Sequence, residues 1–265
     1  HQRHLKRDVS YKNSILRKSG YAFDKMQLNQ RGKIMKELFN EFDCDYENNI
    51  PLIGEPAPEF GVITTNGYIH FPHDYRGHWV VFFSHPSDFT PVCTTEFIAF
   101  QNTIKDFEKM NVKLLGLSVG SLSSHLGWFD AISNMPNGVK ITFPLIDDMN
   151  MSIARKYGMI HKNASDTHAV RAVFIIDPTA TIRTILYYPA ILGRNISEIW
   201  RMLVALQTAD GFKVALPANW MPDDDVLAPA PVTAEQMRRH NDINPWFITY
   251  KKLSKAEIYE KICKK

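Results

Sequence analysis

Gly77-His78-Trp79-Val80-Val81-Phe82-Phe83-Ser84-His85-Pro86-Ser87-Asp88-Phe89-Thr90-Pro91-Val92-Cys93-Thr94-Thr95-Glu96 is the stretch on which the fold turns. Trp79 to Phe83 is a continuous run of aromatic and β-branched residues, the pattern of a buried central strand rather than of a half-exposed one. Two prolines, Pro86 and Pro91, punctuate the loop that follows. After Cys93 the spacing predicts a helix: Thr94, Thr95 and Glu96 supply start chemistry, and Phe97, Phe100, Ile104 and Phe107 fall on one face. A thiol at such a start faces unpaired amides and the positive end of the helix dipole, both of which favour its anion.

The same alternation continues outward. Upstream, Gly54, Pro56 and Pro58 form a stiff turn before a short strand, Phe60 to Thr64. Downstream come a strand over Val112–Val119, a helix opened by Ser121, a strand over Ile141–Ile146 interrupted by Pro144, and a short helix over Met151–Tyr157. Val170–Ile176 and Thr181–Tyr187 read as a hairpin around Asp177-Pro178-Thr179, followed by a helix over Ile196–Leu206. Strands alternating with helices and closed by a hairpin indicate an α/β sandwich of thioredoxin type. From about Phe212 the chain is dense in Ala, Pro and Asp, as suits an extended arm, and Ser254–Ile262 predicts a terminal helix.

The expected organisation is therefore a basic N-terminal extension (1–50), a thioredoxin-fold domain (51–211) and a C-terminal arm (212–265). With 265 residues and 45% hydrophobic content the chain can build a full core, and no apolar stretch approaches the length of a membrane span. Three cysteines exclude a disulfide-rich scaffold. The net charge of +3 divides unevenly: through Lys36, ten Lys and Arg stand against Asp8 and Asp24, giving +8, so the rest carries −5. An acidic body argues against a nucleic-acid partner. The leading segment, Arg-rich and acid-poor, reads either as the edge of an organellar transit peptide or as a solvated docking arm. A helix is predicted around Ile34, Leu38, Phe39 and Phe42.

Pro86, Thr90 and Cys93 form P-x-x-x-T-x-x-C, and background usage makes both matches around one of three cysteines roughly a 1% coincidence. This loop resembles the active-site loop of the peroxiredoxins, and Ser84 to Glu96 as a whole resembles their one-cysteine branch. Gly54-Glu55-Pro56-Ala57-Pro58-Glu59-Phe60, Leu145-Ile146-Asp147-Asp148, Ala169 to Pro178, Tyr188 to Asn195 and Pro217-Ala218-Asn219-Trp220 are similar to further segments of that branch, so the resemblance covers about 200 residues from Gly54 on and leaves the first 50 out.

The resemblance implies a thiol peroxidase acting on hydrogen peroxide and organic hydroperoxides, without metal or cofactor. Cys93 would be the nucleophile, passing to sulfenic acid. Thr90 would position the peroxide, Arg171 would hold the thiolate and polarise the oxygen–oxygen bond, and Pro86 would shield the site. His85 resembles the branch's pocket histidine, Arg194 a supporting arginine, and Glu96 would order the loop. Read without the resemblance, Cys93 is a small buried hydrophobe, Arg171 a strand-edge surface charge, and His85 a packed or capping residue.

The one-cysteine branch needs a second thiol to reduce the sulfenic acid. Neither the Val-Cys-Pro resolving motif of the two-cysteine family nor a cysteine around Trp246-Phe247 is present. Cys44 lies among Asp43, Asp45 and Glu47, which would slow it, and Cys263, between Lys261 and Lys264, would be the more reactive of the two. Both are taken as bystanders and the reductant as an external thiol; the lack of a C-x-x-C in this chain weighs against a thioredoxin-like dithiol. The phospholipase activity of some relatives is not expected, since His73 fits but Gly77-His78-Trp79 and Thr179 replace its serine and aspartate. The branch also implies a homodimer with the C-terminal arm reaching across the partner, and a ring of dimers at most. The leader favours a mitochondrial location over a cytoplasmic one. A rival reading makes the chain a structural or chaperone-like subunit docked through its basic arm.

Overall fold

The structure, a computed structural model, describes residues 50–239 and 247–263. The helix predicted around Ile34–Phe42, Cys44, and Asn241–Trp246 lie outside the described residues. Seven strands make one sheet: β1 (Phe60–Thr64), β2 (Gly67–Phe71), β3 (Trp79–Ser84), β4 (Val112–Ser118), β5 (Leu145–Asp147), β6 (Arg171–Ile176) and β7 (Ile182–Tyr188), in the order β2-β1-β5-β4-β3-β6-β7. The central β3, β4 and β5 are parallel, while β6 runs antiparallel to β3, β7 to β6, and β1 to both β2 and β5. The helices are α1 (Pro91–Lys109), α2 (Leu122–Ser133), α3 (Ser152–Lys156) and α4 (Ile196–Phe212); two-residue strands β8 (Val226–Leu227) and β9 (Tyr250–Lys251), α5 (Ala234–Arg239) and α6 (Lys255–Ile262) complete the chain.

The apolar run of β3 has the physical origin its composition suggests. Trp79, Val81 and Phe83 enter a core shared with Phe97, Phe100 and Phe107 of α1, Trp128 of α2 and Leu203 of α4. Val80 and Phe82 point the other way, into a second core with Leu115, Phe174, Tyr157 and Phe71. A strand covered on both faces has no polar side to alternate with. The arm joins the first of these cores through Trp220, Val226, Leu253, Ile258 and Ile262, and α6 starts from a capping box in which Ser254 and Glu257 satisfy each other's backbone amides.

Some boundaries differ from the sequence reading. α1 begins at Pro91 with Thr90 as its N-cap, so Cys93 sits inside the first turn rather than ahead of it; proline suits this place because a first-turn amide has no helical partner. The strand expected over Ile141–Ile146 shortens to β5, starting after Pro144, which has no amide to give a ladder. α4 runs on to Phe212. Asn195, which begins one of the chain's N-x-S sequences, is the N-cap of α4, its side chain accepting from the Glu198 amide.

Candidate active site

The pairing of β3 with β6 brings the site together. The register Phe83↔Val173 between β3 and β6 lays the start of β6 beside the end of β3, so Arg171 meets the loop that leaves β3. Ser84 stitches this junction: its hydroxyl donates to the Val170 carbonyl (2.6 Å) and accepts from the Ala172 amide (3.1 Å). Arg171 is no surface charge; it is 2% exposed. Its Nη1 donates to Cys93 Sγ at 3.2 Å and to Glu96 Oε2 at 2.7 Å, while Nε and Nη2 both donate to the Ala190 carbonyl. Cys93 is fully buried, and the guanidinium is fixed on two sides before it reaches the sulfur.

Glu96, one turn along α1, ties the two arginines together. Its Oε1 accepts from the Arg194 amide (2.8 Å) and Nε (2.9 Å), and its Oε2 accepts from Arg194 Nη2 (2.6 Å) as well as from Arg171. Burial alone would raise the Glu96 carboxyl, but the hydrogen bonds and charge of Arg194, with the charge of Arg171, outweigh it and hold the group below the usual carboxylate range. Arg194 spends its remaining Nη1 on the carbonyls of Ser84 and Ala172 and lies over the rings of Phe83 and Phe100. The segment before α4 is thereby pinned to both the strand junction and the helix that carries Cys93.

The loop itself is shaped locally. Phe89 holds φ of +55°, a left-handed conformation that costs a bulky residue about 1–2 kcal/mol, and its ring is 60% exposed at the rim. Thr90 donates its hydroxyl to the Ser87 carbonyl (2.9 Å), leaving its oxygen lone pairs open, and Pro86 is half-buried beside it. His85 is fully buried, packed against Phe97 and Trp128, with Nε2 on Asp88 at 2.9 Å. All seven residues singled out from the sequence thus lie in this one region. Asp88, Ser124, His125 and the Ala190 carbonyl were not anticipated. Asp88 stands in plain view three residues after His85, but the others have no local signal, because what they touch is 19 to 37 residues away.

The other described cysteine is remote. Cys263 follows α6 and is close enough to Lys109 for the lysine's charge to act on it. Lys109 ends α1 while Cys93 starts it, a separation of about 24 Å at the helical rise. Partial burial pushes the Cys263 thiol up, against a smaller opposite effect of Lys109; Cys44 and Lys264, on which the expected comparison turns, lie outside the described residues.

Residues 53–185 match the AhpC/TSA family, and residues 205–240 match the C-terminal domain of 1-Cys peroxiredoxin. The chain belongs to the AhpC/TSA family, the peroxiredoxins. A peroxiredoxin of Methanosarcina mazei is 53% identical over 195 residues, which span 71% of this chain and 89% of that protein. Among solved structures, a yeast mitochondrial 1-Cys peroxiredoxin is similar with a TM-score of 0.69 and 39% identity, over 77% of this chain and all of that one. A peroxiredoxin 6 of Arenicola marina, a cysteine-to-serine mutant, gives 0.64 and 36% over 71% of this chain and 88% of its own. This peroxiredoxin is a thiol-dependent peroxidase with the thioredoxin-like fold. No helix among its described residues is long and apolar enough to cross a membrane.

Proposed function

We propose that Cys93 is the peroxidatic nucleophile and that Arg171, Thr90 and Pro86 complete its pocket, with His85, Glu96 and Arg194 in support. The observation that carries this is the donation of Arg171 Nη1 to the buried Cys93 Sγ at 3.2 Å. A fixed cation there favours the thiolate and stabilises charge on the oxygen that departs. The thiolate attacks one peroxide oxygen, the oxygen–oxygen bond breaks, and the leaving hydroxide or alkoxide takes up a proton, so Cys93 becomes a sulfenic acid. Thr90, whose hydroxyl proton goes to the Ser87 carbonyl, orients the peroxide by accepting from it; Pro86 limits water. The substrates are hydrogen peroxide and organic hydroperoxides.

An external thiol then displaces water from the sulfenic acid, and a second thiol releases the mixed disulfide. The yeast relative's thiol resolving mechanism runs via glutathione/thioredoxin systems. Glutathione is the reductant proposed here, although the missing C-x-x-C no longer weighs against thioredoxin, whose dithiol would reside in the reductant. One equivalent of hydrogen peroxide, followed by a sulfenic-acid-trapping dione and peptide mass spectrometry, is expected to label Cys93. A label on Cys44 or Cys263 with Cys93 still reduced would overturn the assignment.

A homodimer, or a ring of dimers, belongs to the same reading, with residues 51–211 as the catalytic domain and 212–265 as the arm at the dimer. Ile191 and Leu192, 89% and 53% exposed next to Arg194, support it, as does β7, the last strand in the sheet order, beyond its first residue Ile182, which bonds to Gly54 and Glu55. Light scattering on the full chain and on one beginning at Pro51 should give, for each, twice the mass of its own chain. A monomer in both sinks the dimer, while a dimer only with residues 1–50 makes that segment the docking arm. A mitochondrial site of action is proposed from the basic N-terminal segment and the yeast mitochondrial relative; recovery of the protein in the cytosolic and not the mitochondrial fraction of its own cells would favour the cytoplasm.

A further inference from the structure

At the junction of β3 and β6 a side-chain hydroxyl stands where the ladder would use a backbone carbonyl. The pairing of the two strands ends at Phe83↔Val173, and in that register the next pair would be Ser84 and Ala172. Instead the Ala172 amide donates to the Ser84 hydroxyl at 3.1 Å, and the hydroxyl donates to the Val170 carbonyl at 2.6 Å. The Ala172 amide also reaches the Val170 carbonyl, at 3.1 Å. A bond from residue i+2 back to residue i is a γ-type turn, a bend found at strand ends, and the residue at its centre is Arg171. Ser84, fully buried, therefore bonds to both peptide groups that flank Arg171.

The same exchange frees a carbonyl. With the Ala172 amide on its side chain, Ser84 keeps its own carbonyl for Arg194 Nη1 (2.9 Å), which also donates to the Ala172 carbonyl (3.1 Å). Arg194 is thus seated where the ladder stops. Its Nε and Nη2 hold the two oxygens of Glu96, and Glu96 Oε2 holds the Arg171 Nη1 that donates to Cys93. Ser84 consequently reaches the Arg171 guanidinium by two routes. One is the backbone from which that side chain departs; the other is the carboxylate that anchors its far end. Ser84, Arg171, Glu96 and Arg194 are all buried, so water is not at hand to take over a bond that the hydroxyl gives up.

We propose that Ser84 is a positioning residue of the peroxidase reaction: its hydroxyl fixes the bend at Arg171 and seats Arg194, and so aims the Arg171 guanidinium at the Cys93 sulfur. The proposal rests on Cys93 being the nucleophile. Ser84 acts through Arg171 and takes no part in the bond changes. Its position asks one atom to donate to a carbonyl and accept from an amide at once, which a hydroxyl does and a methyl does not. In Ser84→Ala the Ala172 amide is free to turn to the carbonyl of residue 84 and continue the ladder. That rung competes with Arg194 Nη1 for the carbonyl and draws the backbone at Arg171 out of its bend, which moves the guanidinium off the sulfur.

Stopped-flow oxidation of Cys93 by hydrogen peroxide in the full chain tests this. Ser84→Ala is expected to slow the step about tenfold or more, and Ser84→Thr, which keeps the hydroxyl, to restore the rate to within about twofold of wild type. A double-mutant cycle separates aiming from structural support. Because Ser84 acts through the Arg171 guanidinium, Ser84→Ala should cost less than about twofold in an Arg171→Lys background, whose ammonium lacks the anchored fork. A wild-type rate in Ser84→Ala overturns the proposal. So do equal losses in Ser84→Ala and Ser84→Thr, or the same loss from Ser84→Ala in both backgrounds. In wild type, a slowly exchanging Ser84 hydroxyl proton should show a nuclear Overhauser effect to the Ala172 amide, and its absence overturns the proposal whether or not the variants fold. Labelling of wild-type Cys93 by the dione is untouched by any of these outcomes and reports separately on the nucleophile.

Discussion

Cys93→Ser is expected to lose peroxide reduction altogether, while Cys44→Ser and Cys263→Ser keep a full first turnover. The size of the loss follows from chemistry that no neighbour can supply. The step needs an atom that can give up two electrons to an oxygen and hold the product as a stable acid, and a serine hydroxyl does neither. Arg171 would still find an acceptor at position 93, so the pocket would stay assembled, and the fall would be on the order of 10⁴-fold or more without any collapse of the fold. Cys263 cannot substitute within the same chain, because it lies near Lys109 at the opposite end of α1. Tryptophan fluorescence is a suitable stopped-flow reporter, since Trp128 donates its Nε1–H to Thr94 Oγ1, next to Cys93. Peroxide consumption that survives in Cys93→Ser at the wild-type rate would remove the thiol from the mechanism.

How much of this could be read from the residues alone depended on how local each cause is. β3 was legible because a two-faced core writes itself as an unbroken apolar run, and α1 because its phenylalanines repeat on one face. β2 was not anticipated: of Gly67 to Phe71 only Phe71 is buried, so an edge strand with one wet face looks like loop. The position of Cys93 inside the first turn of α1 follows from Pro91 taking the first helical place, a cue present in the sequence but assigned to the loop. Arg171 was placed by resemblance, and only the β3–β6 register explains why a strand-end arginine is buried against a helix start 78 residues earlier. His125 lies furthest from legibility. On α2 it sits in an apolar neighbourhood with Trp128 and Phe129, and nothing nearby in the chain hints that its partner is Asp88.

Glu96→Gln is expected to be the most destabilising single change in the site and to disable it as well. Each carboxylate oxygen accepts from two donors: Oε1 from the Arg194 amide and Nε, Oε2 from Arg171 Nη1 and Arg194 Nη2. Whichever way a glutamine amide is turned, its NH₂ group would face two donors. The guanidiniums of two residues only 2% and 6% exposed would also lose the anion between them. Removing one partner from a buried ionic cluster costs about 3–5 kcal/mol, readable as a lower urea midpoint at neutral pH. The acid limb carries the second signature. Because the folded protein holds Glu96 below its usual range, the stability it contributes is complete above the unfolded value of about 4.3 and is lost as pH falls through the depressed folded value. Wild type should therefore approach Glu96→Gln in stability on acidification, and a constant gap from pH 7 down to pH 2 would contradict the ionic role. Activity should fall for a separate reason. Arg171 reaches Cys93 with the same Nη1 that Glu96 anchors, so a guanidinium freed on that side keeps only the Ala190 carbonyl to aim it. Cys93 oxidation is then expected to slow by about 10²-fold. Restoring stability with an osmolyte should leave that deficit in place, because the missing element is the direction of a charge and not the integrity of the core.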